Sequence, residues 1–227
     1  MSRWGMVIDL ARCTACGGCM AACHQENNLT AVGPEQTELG RGHHWLRMLP
    51  ERTGSEQGIE LRYLPHMCYQ CDNPPCVVVC PVHATYLSEE GIVGQVYARC
   101  IGCRYCEAAC PYNAKVFTWY EPQWPGELKK KANPDVSLRS KGVVEKCTFC
   151  HHRILSARDE ARASGRELRD GDVTTACAES CPAQAIVFGD LDDPASQVSE
   201  LAHNPRAFRL LEDLGTEPKV YYLAEDE

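Results

Sequence analysis

The feature that most restricts this chain is a run of four closely spaced cysteines, Cys100, Cys103, Cys106 and Cys110, followed at once by Pro111. The spacing C-x2-C-x2-C-x3-C-P is the one that iron–sulfur proteins use to hold a cubane [4Fe–4S] cluster. Three thiolates wrap one face of a cluster from a tight loop, and the fourth ligates a second cluster. Proline then ends the turn, because it cannot continue helical hydrogen bonding. The run therefore predicts partner runs elsewhere in the chain.

Three further cysteine groups satisfy that prediction. They are Cys13, Cys16, Cys19 and Cys23; Cys68, Cys71, Cys76 and Cys80, followed by proline; and a split group of Cys147, Cys150, Cys177 and Cys181. The four groups account for all 16 cysteines of the chain. At four ligands per cubane, 16 thiolates serve four [4Fe–4S] clusters with none left over.

Two other uses of cysteine fit less well. A disulfide framework is typical of small secreted domains, whereas this chain has 227 residues and groups its cysteines as tight C-x2-C pairs. Structural zinc also uses C-x2-C pairs, but longer loops separate them. Four cysteines within eleven residues occur twice here, at 13–23 and 100–110. A zinc-based interaction module is therefore the disfavoured alternative, and an iron assay separates the two.

The ligands of each cluster follow from the cross-over rule, by which the last cysteine of one run ligates the cluster of its partner run. We apply it to the second and third groups and, likewise, to the outer two. Set 1 is Cys13, Cys16, Cys19 and Cys181; set 2 is Cys147, Cys150, Cys177 and Cys23; set 3 is Cys68, Cys71, Cys76 and Cys110; set 4 is Cys100, Cys103, Cys106 and Cys80.

The nesting of these groups predicts an α+β chain of two ferredoxin-like double-cubane units, one inserted in the other, rich in loops with short hairpins and helices. We expect an outer two-cluster unit over 1–60 and 143–190, an inner two-cluster unit over 61–120, a loop over 121–142 and a C-terminal extension over 191–227. Residues 84–87 and 92–96 predict a β-hairpin in which Gly91 takes a positive φ.

Between the cysteine groups the pattern is weaker. Residues 25–60 predict an insertion with one strand over 45–49, in which His43 and His44 are solvated. Residues 151–170 predict a helix followed by Gly171. The segment after residue 190 offers no chemistry, and we expect it to wrap the surface or a partner.

Composition limits the function classes. The hydrophobic fraction of 44% includes the 16 cysteines, and without them it falls to roughly 37%, so clusters must supply much of the folding free energy. The net charge of −8 argues against a nucleic-acid partner. No apolar run approaches the ~20 residues of a membrane span. Because Met1–Gly5 leads directly into a strand, we expect neither a signal peptide nor a transmembrane helix, and any export would depend on a partner.

Four segments carry a family resemblance that covers nearly the whole chain: GMVIDLARCTACGGCMAAC, CYQCDNPPCVVVCPVHAT, ARCIGCRYCEAACPYNAKVF and GVVEKCTFCHHR. They resemble the four-cluster electron-transfer subunits of molybdopterin oxidoreductase-type membrane complexes. Members serve polysulfide, thiosulfate, tetrathionate, dimethyl sulfoxide, arsenate and nitrate reductases and formate dehydrogenases, with relatives in menaquinone reductase and alternative complex III. The resemblance implies a non-catalytic subunit of anaerobic respiration. It would relay electrons between a molybdopterin-type or haem-bearing subunit and a multi-span, quinone-reactive membrane subunit.

The resemblance also implies an arrangement. Sets 1 and 2 would face the catalytic subunit and sets 3 and 4 the membrane anchor, with set 4 nearest the quinone or haem. The chain would be peripheral to the membrane, with the periplasmic face favoured over the cytoplasmic one. Nitrate-reductase-type subunits have tryptophan where this chain has Cys103 and hold a [3Fe–4S] centre there, so Cys103 predicts [4Fe–4S].

The alternative function is a free-standing soluble polyferredoxin that shuttles electrons between enzymes. The long segments 25–60, 121–142 and 190–227 favour a subunit, because a shuttle needs little surface beyond its clusters. The chain shows neither a Ser-His-Asp arrangement nor a glycine-rich phosphate loop, so nothing in it predicts catalysis.

Overall fold

The computed structural model describes residues 2–55, 58–124 and 126–225. Its strands are β1 (Trp4–Asp9), β2 (Leu46–Ser55), β3 (Gly58–Met67), β4 (Thr85–Leu87), β5 (Val93–Gln95), β6 (Val116–Phe117), β7 (Val144–Glu145), β8 (Ile186–Asp190), β9 (Ala207–Phe208) and β10 (Val220–Leu223). Its helices are α1 (Gly18–Glu26), α2 (Pro34–Glu38), α3 (Pro75–Val78), α4 (Tyr105–Ala108), α5 (His151–Ala163), α6 (Ala176–Glu179) and α7 (Gln197–Ala202). The fold is thus mixed α/β, built from short helices and small sheets.

The main sheet has the strand order β8-β1-β10-β9. Strand β1 lies antiparallel to β8 and parallel to β10, with Met6 opposite both Phe188 and Val220. It is buried on both faces, because Met6 and Ile8 belong to the large core while Val7 packs in a smaller core beneath α7. A continuous apolar strand is what such two-sided burial requires.

The C-terminal segment was expected to wrap the surface or a partner, and the first alternative was wrong, because part of the segment lies in the core; contact with a partner stays a prediction. Strand β10 lies inside the main sheet, and Val220, Tyr222 and Leu223 have no exposed surface. Helix α7 precedes it and is capped by Ser196, whose hydroxyl accepts a hydrogen bond from the Ser199 N–H. The tail thereby completes the core next to the first strand of the protein.

Residues 25–60 form more structure than the single predicted strand. Strands β2 and β3 pair antiparallel over their ten residues, from Leu46 opposite Met67 to Ser55 opposite Gly58. Ile59, Leu61 and Tyr63 alternate with charged residues as in a strand, a signal that the sequence interpretation missed, and all three are exposed on this hairpin. The boundary expected near residue 60 falls within β3, and the division into units stays a prediction.

The inner hairpin is confirmed: β4 pairs antiparallel with β5, and Gly91 has a φ of 74°. The helix expected over 151–170 is shorter. Helix α5 ends at Ala163, because Gly165 turns the chain with a φ of 68°. Its buried face is formed by Ile154 and Ala161.

Candidate metal centres

The cysteines of set 3 line one cavity. Cys68 and Cys71 come from the loop after β3, Cys76 from α3, and Cys110 from the turn after α4. Pro74, Pro75, Val93, Tyr112 and Lys115 complete the wall. Burial, followed by the charge of Cys68, raises the pKa of the Cys71 thiol to about 12. A free thiolate is therefore costly here unless iron takes up its charge.

The cysteines of set 4 line a second cavity, with Ile101, Arg104, Thr85, Gln95 and Val144 around them. Its loop needs glycine at Gly102, which has a φ of 69°, and an added Cβ would lie 2.3 Å from the Gly142 carbonyl oxygen. The next turn places Arg104 in the left-handed region, with a φ of 59°, directly before α4. These two residues bend the loop so that its sulfurs face the cavity.

The cysteines of set 1 line a third cavity, which Met48, Pro65 and Ile186 close from the hairpin and from β8. Three of them come from the loop and first turn of α1, and Cys181 comes from the turn after α6. Helices α1 and α6 pack against each other and bring these segments together.

The cysteines of set 2 are all buried. Burial, followed by the charges of Cys147, Cys177 and Cys150, raises the pKa of the Cys23 thiol well above its ordinary value. The thiols of set 2 are therefore near enough to interact through their charges. Three of the predicted sets, 1, 3 and 4, each line one cavity.

Backbone N–H groups reach several of the sulfurs. Ala84 donates to the Cys80 sulfur at 3.2 Å, and Ala185 donates to the Cys181 sulfur at 3.3 Å. Although burial acts to raise it, such backbone donors lower the pKa of the Cys80 thiol. Hydrogen bonds of this kind stabilise anionic sulfur and help to set cluster potentials.

Sequence reasoning missed the motif behind these donors. It is C-P-x-x-A, and it occurs at 80–84, 110–114 and 181–185. The fourth residue of the three copies (His83, Asn113 and Gln184) has a φ of 49–50°. That turn aims the alanine N–H back at the cysteine. In the first cysteine group α1 continues past Cys23, and the Asn27 side chain approaches that sulfur at 3.7 Å instead.

The donor chemistry fits iron–sulfur clusters. Each set offers four soft thiolate ligands, as [4Fe–4S] clusters require, and three of the sets surround apolar cavities. Residues 2–55, 58–124 and 126–225 contain no group of three or more His, Cys, Asp or Glu side chains placed to hold a single metal ion.

The solvent exposure of the cysteines differs between the four sets. Cys16 of set 1 and Cys103 of set 4 are exposed, whereas no cysteine of sets 2 and 3 is. Neighbouring sets are close: burial, followed by the charges of Cys177 and Cys68, raises the pKa of the Cys147 thiol. Sets 1 and 4 thus each reach the surface through one cysteine, whereas sets 2 and 3 do not.

Comparison with known proteins agrees with the interpretation of the cysteine sets as iron–sulfur cluster sites. A family model described as a 4Fe-4S dicluster domain matches residues 12–84, and a second of the same description matches residues 59–125. The menaquinone reductase iron–sulfur cluster-binding subunit of Nitratidesulfovibrio vulgaris is 53% identical over 230 residues, covering 99% of this chain and 90% of that protein. The iron–sulfur subunit 1 of the Hdr-like menaquinol oxidoreductase of Archaeoglobus fulgidus is 38% identical, over 97% of this chain and 82% of that protein. The iron–sulfur subunit of the arsenate respiratory reductase of a Shewanella species is 34% identical, over 97% of this chain and 96% of that protein.

The fold and its cysteine sites define an iron–sulfur protein with two dicluster domains, whose 16 cysteines correspond to four [4Fe–4S] clusters. This protein belongs to the family of iron–sulfur subunits of respiratory reductase complexes. Within the described part of the chain, every helix is too short or too polar to cross a bilayer.

Proposed function

We propose that this chain is a non-catalytic electron relay between a catalytic or haem-bearing subunit and a quinone-reactive membrane subunit. The observation that carries the proposal is that sets 1 and 4 each expose one cysteine, Cys16 and Cys103, while no cysteine of sets 2 and 3 is exposed. A cluster in each site accepts and passes on one electron at a time. The chain supplies the ligands, the burial and the hydrogen bonds that set each potential.

In this proposal sets 1 to 4 are the ligand sets of the four clusters, arranged as two double-cubane units with one inserted in the other. Pairing by cross-over is supported by Cys110 on the set 3 cavity and by Cys80 on the set 4 cavity. Electrons move between set 1 and set 4 through the two buried sets. Either direction uses the same path.

The set 4 end is where the membrane subunit docks. Val78, Ile101 and Tyr105 are 81%, 65% and 59% exposed, and each lies within two residues of a set 3 or set 4 cysteine. Apolar side chains exposed around a cluster site are suited to a protein contact. The catalytic or haem-bearing subunit then contacts the set 1 end next to Cys16.

The complex faces the periplasm in this proposal, following the family resemblance, and the chain is held at the membrane by its protein partner. A chain with a net charge of −8 gains nothing from anionic lipid headgroups. High salt alone should therefore leave it on the membrane, whereas detergent should release it as an assembly with a large oxidoreductase-type or haem subunit and a multi-span subunit.

The test is quinone-linked electron transfer in membranes from cells that lack this chain. We expect the substrate-to-quinone rate to fall to background and to return when the chain is restored. The catalytic subunit should still turn over with an artificial dye. A normal quinone-linked rate without the chain would refute the relay, and purification of the chain alone in soluble form would favour the polyferredoxin shuttle.

A further inference from the structure

Two buried lysines occupy the junctions between consecutive cysteine sites. Lys115 is 4% exposed and lines the set 3 cavity, while Lys146 has no exposed surface and immediately precedes Cys147 of set 2. A buried ammonium group costs several kcal/mol unless a negative charge compensates it. The position of each lysine therefore requires an explanation.

Lys115 lies between sets 3 and 4. Its Nζ donates to Thr85 Oγ1 at 3.0 Å and to Gln95 Oε1 at 3.4 Å, and both of these residues line the set 4 cavity. One ammonium group thus extends from the wall of one cluster site to the wall of the next. Both of its acceptors are neutral.

Lys146 lies between sets 2 and 3. Its Nζ donates to the carbonyl oxygen of Cys147, a set 2 residue, at 2.9 Å, and also to the carbonyl oxygen of Val93, which lines the set 3 cavity. The ammonium group again has only neutral acceptors. Lys146 thus lies between sets 2 and 3 in the same way as Lys115 lies between sets 3 and 4.

Neither lysine has a carboxylate partner within 4.0 Å over residues 2–55, 58–124 and 126–225. Glu107 is near enough to Lys115 to interact through its charge, although burial is the larger effect and raises the pKa of that carboxyl. Lys219 provides the contrast, because this fully buried lysine has Asp72 Oδ1 at 2.9 Å. The missing counter-charge at Lys115 and Lys146 is one that the protein itself does not supply.

We propose that Lys115 and Lys146 are the counter-cations of the clusters on either side of them, and that they raise the reduction potentials of sets 2, 3 and 4. A cluster with four thiolate ligands is anionic, and reduction adds one further negative charge. An adjacent ammonium group favours the reduced form, because opposite charges attract more strongly in a low-dielectric interior. The inference rests on the proposed ligand sets.

The electrostatics of Cys76 support this arrangement. Burial raises the pKa of the Cys76 thiol to about 11, and the charges of Lys115 and Lys146 both act in the opposite direction. Set 3 is therefore the site that both ammonium groups reach. Set 1 has no equivalent lysine among the residues that line its cavity.

The test is an EPR-monitored redox titration of the cluster-loaded chain with Lys115→Met and Lys146→Met, which keep the aliphatic stem and remove the charge. We expect Lys115→Met to disfavour reduction of sets 3 and 4 by about tenfold, which is about 59 mV for one electron. Lys146→Met should do the same for sets 2 and 3. Two components should shift in each variant, and in the double variant set 3 should shift by both amounts.

Control variants separate charge from structure. Lys115→Arg and Lys146→Arg keep the charge and should keep the potentials, and Lys129→Met removes a charge from an exposed site and should shift nothing. The component that Cys103→Ser perturbs identifies set 4. Iron and sulfide counts show whether each variant is loaded.

The outcomes are distinct. Fully loaded Met variants with unshifted potentials, or with all four components shifted alike, would overturn the assignment of the lysines and leave the relay intact. If a Met variant loses a neighbouring cluster, retention of that cluster in the Arg variant supports the counter-cation role, and its loss there too overturns it. Failure of the wild-type chain to hold four clusters would instead refute the proposed ligand sets.

Discussion

Arg139 donates from Nε to Glu145 Oε2 at 2.8 Å, and both side chains are only 2% exposed. The same carboxylate oxygen lies 3.1 Å from His43 Nε2, and the Thr118 hydroxyl donates to the other carboxylate oxygen at 2.7 Å. This buried network ties four segments together: the insertion that contains His43, the residues after β6 that include Thr118, the loop that contains Arg139, and β7 between sets 2 and 4. It fixes the long connections onto the cluster-bearing core.

We predict that Glu145→Gln destabilises the cluster-loaded protein by about 3–5 kcal/mol, because it leaves the Arg139 guanidinium buried without its counter-charge. The double variant Arg139→Met/Glu145→Gln should lose less than the sum of the two single losses. Anaerobic denaturant unfolding measures all four proteins. Strict additivity would show that the two side chains do not depend on each other.

The same network predicts a pH dependence. Burial alone would raise the pKa of Glu145, but the hydrogen bond from His43 and the charge of Arg139 bring it to about 2, below the ordinary 4.5. A carboxyl with a lowered folded-state pKa stabilises fully above about pH 4.5 and loses that contribution as the pH falls towards 2. Tryptophan fluorescence after rapid acidification should therefore show the gap between wild type and Glu145→Gln shrinking below pH 4.5. A gap that stays constant through that range would contradict the prediction.

Sequence patterns predicted the parts of this protein that local chemistry dictates. The spacing of the cysteines led to four sets, three of which each line one cavity, and Gly91 marked a hairpin that the structure contains. His43 was expected to be solvated, and that was wrong, because its side chain is only 1% exposed. Its ring nitrogen is paired with the carboxylate of Glu145, which lies 102 positions further along the chain. Strand β10 was missed for the same reason, since its partner β1 lies at the other end of the chain. Contacts between distant segments leave no periodic trace in the sequence.

Tyr222 provides a test of the buried tail. Its hydroxyl donates to the Pro65 carbonyl at 2.7 Å and lies 2.9 Å from the Tyr69 hydroxyl, so β10 is joined to β3 and to the set 3 loop. We predict that Tyr222→Phe costs roughly 1–3 kcal/mol, because it leaves a buried carbonyl and a buried hydroxyl without this partner. Tyr221→Phe, on the half-buried neighbour, should change stability by well under 1 kcal/mol in the same denaturant assay. Equal losses would mean that the tail packs without these bonds.

Cys103 provides a test of set 4. Because its side chain is exposed, tryptophan can be accommodated there without overfilling the core. We predict that Cys103→Trp leaves a [3Fe–4S] centre on the three remaining ligands, as in the nitrate-reductase-type subunits that the chain resembles. Oxidised protein should then give the low-temperature EPR signal of a three-iron centre, which wild type should lack. By the same reasoning, Cys16→Trp, which removes the exposed cysteine of set 1, should give a three-iron centre in set 1 and leave set 4 intact. An unchanged spectrum in Cys103→Trp would remove Cys103 from the ligand set.

Removal of iron should unfold the tertiary structure. Ten of the 16 cysteines are buried, and six of them pack within the large core beside Trp4, Ile8 and Tyr222: Cys19, Cys23, Cys68, Cys71, Cys147 and Cys177. Without clusters these sites become polar thiols around empty apolar cavities, and the remaining apolar fraction of roughly 37% is too small to offset that loss.

We therefore expect reconstituted protein to contain about 16 iron and about 16 sulfide per chain. The iron-free, reduced protein should lose its near-UV circular dichroism and its cooperative thermal transition, since cluster binding is coupled to folding. Adding back iron and sulfide should restore both signals. Adding zinc alone should restore neither, because a single tetrahedral ion requires its sulfurs closer together than a cubane does. A cooperative transition that survives complete removal of iron would show that the core is stable by its own packing, and that the clusters serve electron transfer without holding the fold.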